Sequence, residues 1–403
     1  MVSELRDNRA TVEPYVTDFE TAVRSIDGRD VRLEETYFYA EGGGQPADRG
    51  TLGGIGVVDV QPQNGETVHT LATTPEFEVG ESVVGSIDDE FRTYCMRAHT
   101  ASHALYGAVR ELFDDHGYGG FDIGPETVRL DLEIEHGPDE VNAFTLERLV
   151  NEIVWESRDV SWREMDATAA REHDEIVFNR TGGNDASGAV RIVEIEDWDS
   201  AACGGTHVRN TCEIGPVRVL EVSNPGAGLV RVEYAVGPTA IRARVDETRA
   251  ATRAAQTLDT NVEGLPERAT DMVETNASLE AAVDSLRDQL LSERLESLAD
   301  DAVSKSGNEW VVGELDIDGV GPNDVSERVR SLAGDVGDVV ALTGRNGRLF
   351  VVVGTTGEPD ASEVIDDITA TFGGGGGGGP TFAQAGGLED EPSAIVDYLR
   401  TEL

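Results

Sequence analysis

Apolar and polar residues alternate in short runs through the first 88 positions, in YVTDFETAVRSI, RDVRLEETYFYA, GTLGGIGVVDVQ and ETVHTLATT, with Gly, Asp and Asn breaking the runs. Alternation with a period of two between turn residues predicts strands, and residues 1–88 are expected to form a β-barrel-like domain. At Asp88 the period changes. Acids open DDEFRTYCMRAHTASHALYGAVRELFDDHG, Gly117 closes it, and Phe91, Cys95, Ala98, Leu105, Val109 and Leu112 fall on one stripe, as a helix requires. TVRLDLEIE, AVRIVEI, PVRVLEVS and LVRVEYAVG then read as strands around one helix, PDEVNAFTLERLVNEIVWES, so residues 89–240 are expected to be an α+β domain.

Beyond Ala240 the composition turns helical. Met272, Asn276, Leu279, Val283, Leu286 and Leu290 keep a four-three spacing that predicts an arm over 241–304, packed as a helical hairpin or paired as a short coiled coil. Residues 305–403 alternate strands (WVVGELD, VVALTG, LFVVVGTT) with helices over Asn323–Leu332 and SEVIDDITATF, an α/β pattern. The seven glycines Gly373–Gly379 lie a few residues from the last helix, which predicts a loop inside that fold rather than a linker. The class is therefore α+β multidomain, in four parts.

Two short segments bring candidate chemistry. His99 and His103 are four apart, a rotation of about 40° and a rise of about 6 Å on a helix, so they stand one above the other at the edge of the apolar stripe. Cys203-Gly-Gly-Thr-His207 supplies a second pair. Either pair alone is compatible with packing, but one thiol and three imidazoles together suit one tetrahedral zinc ion. Cys95 lies one turn before His99, and a straight helix cannot aim positions 95, 99 and 103 at one ion, so Cys95 is assigned to the core and Cys212 to a structural place. The spacing is not that of a zinc protease, which needs a glutamate directly after the first histidine. Four protein ligands fill a tetrahedral site, so either one ligand is exchanged during turnover or the metal orients substrate. Gly42–Gly44, in TYFYAEGGGQPAD, reads as a tight turn or as a place where backbone approaches a ligand.

Charge changes the choice of partners less than it first suggests. There are 78 acidic and 32 basic residues, a net charge of −46, with Lys305 as the sole lysine. Such acidity normally argues against nucleic acid, yet the acids are spread along the whole chain. A surface suited to very high salt accounts for that, because the Debye length falls to about 3 Å at 1 M, and an RNA substrate stays open. Three cysteines give no disulfide framework. The polar start, MVSELRDNRA, has no signal-peptide core, and the glycine-dominated stretch Ile368–Leu388 is no membrane span, so a cytoplasmic protein is expected.

RAHTASHAL at 97–105, CGGTHV at 203–208, TYFYAEGGGQPAD at 36–48 and GGGGGGGPTFAQAGG at 373–387 resemble, in that order, the editing half of alanyl-tRNA synthetase. Without the class II aminoacylation domain, the chain resembles the long form of the freestanding AlaX editing proteins. The resemblance implies a barrel-like domain, a zinc editing domain, a helical arm and a glycine-rich C-terminal domain. It also implies hydrolysis of mischarged Ser-tRNA(Ala), and of Gly-tRNA(Ala), in trans. A synthetase pocket for alanine excludes glycine and serine poorly, which is why a second, hydrolytic site is needed. By the same resemblance His99, His103, Cys203 and His207 hold one Zn2+, Gln45 lines the pocket, and the Thr36 hydroxyl meets the serine side chain. No general base is evident; Glu41, Asp48 and His69 are candidates, as is the hydroxyl of the tRNA itself. The C-terminal domain resembles one shared with DHH-type phosphoesterases that contacts nucleic acid, and it carries Arg345 and Arg348. The arm or this domain offers a surface for a homodimer, and no ATP site is implied. Two other classes stay open: a zinc hydrolase of another ester, and a tRNA-binding module whose zinc is structural.

Overall fold

A computed structural model describes residues 7–135, 137, 140–173, 175–178, 188–226 and 228–402. They divide into two compact units at Ala254 and Ala255. Met1–Arg6 at the polar start, and Pro138 and Asp139 at the head of the predicted second helix, lie outside the described residues.

The first unit opens with six strands, β1 (Asp18–Asp27), β2 (Asp30–Leu33), β3 (Gly50–Leu52), β4 (Ile55–Gln63), β5 (Glu66–Leu71) and β6 (Ser82–Ile87). They close into a barrel in the order β1-β2-β5-β4-β3-β6. The alternation read from the sequence is the alternation of its wall: Val23, Val31, Leu33, Leu52, Val60 and Leu71 point inward with Phe38 and are buried. Residues 34–49 cross between β2 and β3 and carry the first glycine run.

Helix α1 (Asp89–Leu112) follows, started by the Asp88 side chain, which accepts the Phe91 N–H and so satisfies one of the helix's unpaired donors. It ends at Leu112, short of Gly117, because the chain from His116 is already strand. That strand, β7 (His116–Ile123), joins β8 (Val128–Ile134). Helix α2 (Ala143–Glu156), capped by Asn142, leads to β9 (Val160–Asp166), the short α3 (Ala167–Arg171), β10 (Ile176–Val177), β11 (Ala189–Ile195) and β12 (Asp199–Ala202). The unit finishes with β13 (Val217–Gly226) and β14 (Leu229–Val236), and α4 (Gly237–Thr257) spans the division between the units. One sheet, β13-β14-β8-β7, carries α1 and α2 on its face: Ala98, Ala101, Leu105 and Val109 pack with Leu146, Val150, Leu130, Leu132 and Val232. A smaller sheet, β10-β12-β11-β9, brings in the Cys203 segment directly after β12.

Arg92 ties α1 to the barrel. Fully buried, it pairs with Asp48 and donates to the carbonyls of Pro14 (2.7 Å) and Tyr37 (2.6 Å). Removing one partner of such a buried pair costs about 3–5 kcal/mol, because the other charge is left without compensation. Asp48 also accepts the Tyr39 N–H at 2.6 Å, so both ends of the segment around the glycine run are fixed to the same guanidinium.

The second unit begins with α5 (Leu265–Ala299), followed by β15 (Val303–Lys305), β16 (Asn308–Leu315), α6 (Pro322–Leu332), β17 (Val339–Asn346), β18 (Arg348–Thr355), α7 (Ala361–Phe372), β19 (Gly375–Gly379), β20 (Phe382–Gly386) and α8 (Pro392–Thr401). The sheet order is β15-β16-β17-β18-β20-β19, with α7 and α8 packed on one face and α6 with the end of α5 on the other. The span expected to be the arm, 241–304, holds the end of α4 and then α5, on which Met272, Leu279, Val283, Leu286 and Leu290 are exposed and the buried apolar residues come later, at Leu291, Leu295 and Leu298. The glycine run is not the loop expected of it. Gly375–Gly379 form a strand that pairs residue for residue with β20.

Candidate metal centre

His99 and His103 project from the buried side of α1, and Cys203 and His207 come from the turn after β12. Their donor atoms all lie within 4.8 Å of one another. Cys203 Sγ is 3.3 Å from His99 Nε2 and 3.3 Å from His207 Nε2. A tetrahedral zinc with Zn–S about 2.3 Å and Zn–N about 2.0 Å gives N···S edges of about 3.5 Å, so the quartet fits that ion. The three histidines are buried, at 5%, 7% and 5% exposure for 99, 103 and 207.

Each imidazole has its far nitrogen engaged, which turns Nε2 inward. His99 Nδ1 donates to Gln45 Oε1 at 2.9 Å and His103 Nδ1 to Asp199 Oδ2 at 2.8 Å. His207 Nδ1 donates to Thr100 Oγ1 at 3.2 Å, whose own proton goes to the Met96 carbonyl at 2.8 Å. Partners of this kind fix the tautomer and ring orientation of metal-binding histidines. Phe121 stacks on the His99 ring at 4.7 Å and keeps water from that side. Gly205 is needed for the close approach of the second pair, since a Cβ there would stand 2.1 Å from His99 Cε1. Arg191 braces the same turn from behind, donating to the carbonyls of Cys203 (2.9 Å) and Gly205 (3.0 Å).

The electrostatics favour a thiolate. Burial alone would push the Cys203 thiol up, but the charges of His99 and His207 and hydrogen bonds with His103 and His207 hold it well below the usual thiol range. Burial would likewise lower His103, yet its bonds to Asp199 and Cys203 outweigh burial and carry it up to about 10. Burial lowers His207 to about 3, against the pull of the Cys203 charge. A soft anion among imidazoles suits a zinc-type cation, whose binding must release the proton held on His103.

Gln45 meets this cluster, though not as an open pocket wall. It is 1% exposed, its amide oxygen also accepts the Thr206 N–H at 3.0 Å, and its amide nitrogen donates to Thr206 Oγ1 at 2.9 Å. Thr36 is fully buried in the barrel, its hydroxyl donating to His69 Nε2 at 2.8 Å and accepting the Phe38 N–H at 3.2 Å. No free hydroxyl is presented to a substrate there. Of the candidate bases, Asp48 is held by Arg92, His69 by Thr36 and Val31, and Glu41 accepts from Gln61 on the surface. Cys95 is buried in the core, as its register requires, whereas Cys212 is exposed on a one-turn 3-10 helix, Thr211–Ile214. Thr100 and Thr206 lie inside the two motifs and could have been named with them. Asp199, four residues before Cys203, carries no mark that separates it from the other acids.

No helix among the described residues is long and apolar enough to cross a membrane. Residues 190–233, which include the Cys203 turn, match the family described as threonyl and alanyl tRNA synthetase second additional domain, and residues 7–91 match class II (A) tRNA synthetases. The chain is 34% identical over 407 residues to an alanine–tRNA ligase of Halorubrum lacusprofundi, covering 96% of this chain and 43% of that protein. With the alanine–tRNA ligase of Thermococcus kodakarensis it shares 32% identity over 394 residues, 95% of this chain and 42% of that protein. The chain thus spans about two-fifths of the length of these curated relatives. A solved C-Ala domain of Aquifex aeolicus alanyl-tRNA synthetase aligns with 25% of the chain and 94% of its own length, at 24% identity and a TM-score of 0.21, too low to carry an argument. Over nearly its whole length, then, the chain is similar to part of the archaeal alanine–tRNA ligases.

Proposed function

We propose that the chain is a zinc-dependent aminoacyl-tRNA hydrolase that removes serine, and glycine, from mischarged tRNA(Ala). The observation that carries this reading is the convergence of His99, His103, Cys203 and His207, with all three Nδ1 atoms engaged, in a chain similar to alanine–tRNA ligases. When bound, zinc supplies a Lewis acid for an ester carbonyl or its attacking water. The chain's own residues set the rest. Gln45 and Asp199 hold His99 and His103 in place, Phe121 excludes water from one side, and Arg191 fixes the backbone of the Cys203 turn. With Asp48 and His69 committed inside the barrel, proton acceptance falls to solvent or to the free hydroxyl of the terminal ribose. Thr36 reads a serine hydroxyl only if it releases His69.

The test is deacylation of Ser-, Gly- and Ala-tRNA(Ala) by the chain in molar KCl, with and without a chelator. Ser- and Gly-tRNA(Ala) are expected to lose their amino acid and Ala-tRNA(Ala) to keep it. Chelation, or Cys203→Ala with the far-ultraviolet circular dichroism intact, is expected to stop the reaction. Full activity of Cys203→Ala removes the zinc from the mechanism, and turnover of small esters but no aminoacyl-tRNA favours a hydrolase of another ester.

A further inference from the structure

Beside the metal cluster lies a pocket of about 270 Å3 to which His207 contributes a wall. We infer that it takes the terminal nucleotide of the acceptor strand, the base against Trp162 and the phosphate at Arg191 and Arg209. The inference rests on the aminoacyl-tRNA reading for the identity of its ligand.

Three observations carry it. None of the eleven lining residues is acidic, although 78 of the 403 residues of the chain are, so the pocket interrupts the solvating acidic surface. Two of the eleven are arginines whose charge has no carboxylate partner among the described residues. Arg191 gives its guanidinium to backbone carbonyls, including Thr11 at 3.0 Å, and its buried Nε–H has no acceptor. Arg209 lies 4.5 Å over the Tyr15 ring. Cys203 and Tyr39 are the acidic groups that act on Arg191, and a buried guanidinium with no carboxylate beside it gains from an anion that arrives. Finally, the register of β9 on β11 sets Trp162 opposite Val193, on the same face as Arg191, whose guanidinium lies 5.2 Å over the indole. The indole stays 39% exposed, an aromatic face of the kind that bases stack on with little regard to sequence. The volume lies just below the range of about 300–1,000 Å3 typical of small-molecule sites, which suits one nucleotide and no longer strand.

The experiment titrates AMP, adenosine and inorganic phosphate separately into the full chain by calorimetry in molar KCl, where only contact-range charge pairs persist. AMP is expected to bind more tightly than either fragment. Trp162→Ala should weaken AMP about tenfold, Trp162→Phe should restore most of that loss, and Arg209→Gln should weaken AMP and phosphate but not adenosine. Arg191 is left in place because it braces the metal turn, and zinc content is measured in each variant to exclude collapse of that turn. In deacylation, Trp162→Ala should raise KM for Ser-tRNA(Ala) more than it lowers kcat. AMP affinity equal in Trp162→Ala and the parent, or phosphate binding as tight as AMP, overturns the inference. If AMP behaves as expected but no aminoacyl-tRNA is hydrolysed, the pocket stands as a nucleotide site and the editing reading falls. If hydrolysis proceeds with KM unmoved by Trp162→Ala, the reverse holds.

Discussion

Two glycine runs, Gly42–Gly44 and Gly373–Gly379, look alike in composition and do opposite things. In the first, Gly42 and Gln45 exchange both backbone hydrogen bonds, at 3.1 and 3.0 Å, around Gly43 (φ 60°) and Gly44 (φ 87°). That is a two-residue turn with both central residues in the left-handed region, a conformation glycine takes freely. Its outcome is positional. The Gly44 carbonyl accepts the Ile123 N–H at 2.9 Å, the turn is held between the barrel and β7, and Gln45 arrives at His99. The second run turns at Gly373 (φ 70°) and Gly374 (φ 80°) and is extended from Gly375 to Gly379. A Cβ on Gly376 or Gly378 would strike Ala385, Ile365 or Ala383, while Gly375, Gly377 and Gly379 face open space. Glycine in the first run serves a turn and a close approach, and in the strand of the second it serves packing at alternate positions. The neighbours, not the count of glycines, decide what a run is for.

The strongest way to break this comparison is Gly44→Ala. The new Cβ would lie 2.1 Å from the Phe121 carbonyl oxygen in a left-handed conformation, so strain and overpacking together should cost about 3 kcal/mol or more. Because the displaced segment carries both Gln45 and, through Phe121, the cover of His99, zinc affinity should fall with stability. Urea denaturation and metal analysis read the two effects. A variant as stable and as metal-loaded as the parent would show the turn to be an ordinary surface turn.

A second test concerns the anchoring of the first run from within the barrel. His69 is buried and neutral, its pKa lowered by that burial to about 4, and it holds Thr36, where the motif begins. The unfolded chain binds a proton at His69 near pH 6.5, the folded chain only near 4. Its contribution is therefore complete above pH 6.5 and is lost as pH falls from 6.5 towards 4, by about 3 kcal/mol. His69→Gln keeps hydrogen bonds to Thr36 and Val31 within reach but does not titrate. The stability advantage of the parent over His69→Gln should shrink across that window. An advantage that is constant from pH 7 to 4 contradicts a neutral, buried His69.

Much of this was legible in the sequence where side chains carry a period. The barrel alternation, the α1 stripe and the convergence of the pairs 99/103 and 203/207 were, because inward-facing residues repeat every two or about every four positions. Where side chains are absent or their environment is remote, the signal vanishes. A strand of five glycines has no alternation to read, so β19 looked like a loop. Asp199 is bonded to His103 and Gln45 to His99, contacts made across 96 and 54 residues of sequence. The stripe Met272–Leu290 has a period yet is exposed in this chain, and period alone does not say what covers a face. Thr36 sits in the right motif, but its hydroxyl belongs to His69, a pairing across 33 residues that no local pattern announces.

The smallest effects sharpen the comparison most, because they lie within the second run. Gly378 and Gly377 are neighbours in one strand with the same extended backbone and opposite faces. On Gly378 a Cβ would stand 2.3 Å from the Phe382 carbonyl oxygen and 2.5 Å from the Ala383 Cβ, so Gly378→Ala should push β19 away from β20 and cost about 1–3 kcal/mol. On Gly377 nothing lies within 4 Å. Gly377→Ala should therefore be neutral or stabilise by about 0.5 kcal/mol, since alanine loses less backbone freedom on folding. Thermal unfolding of the two variants side by side decides it. Equal losses at both positions would mean that the strand as a whole cannot bear a side chain. A loss at 378 alone would leave Gly377 as a residue whose side-chain-free face has no packing reason inside this unit.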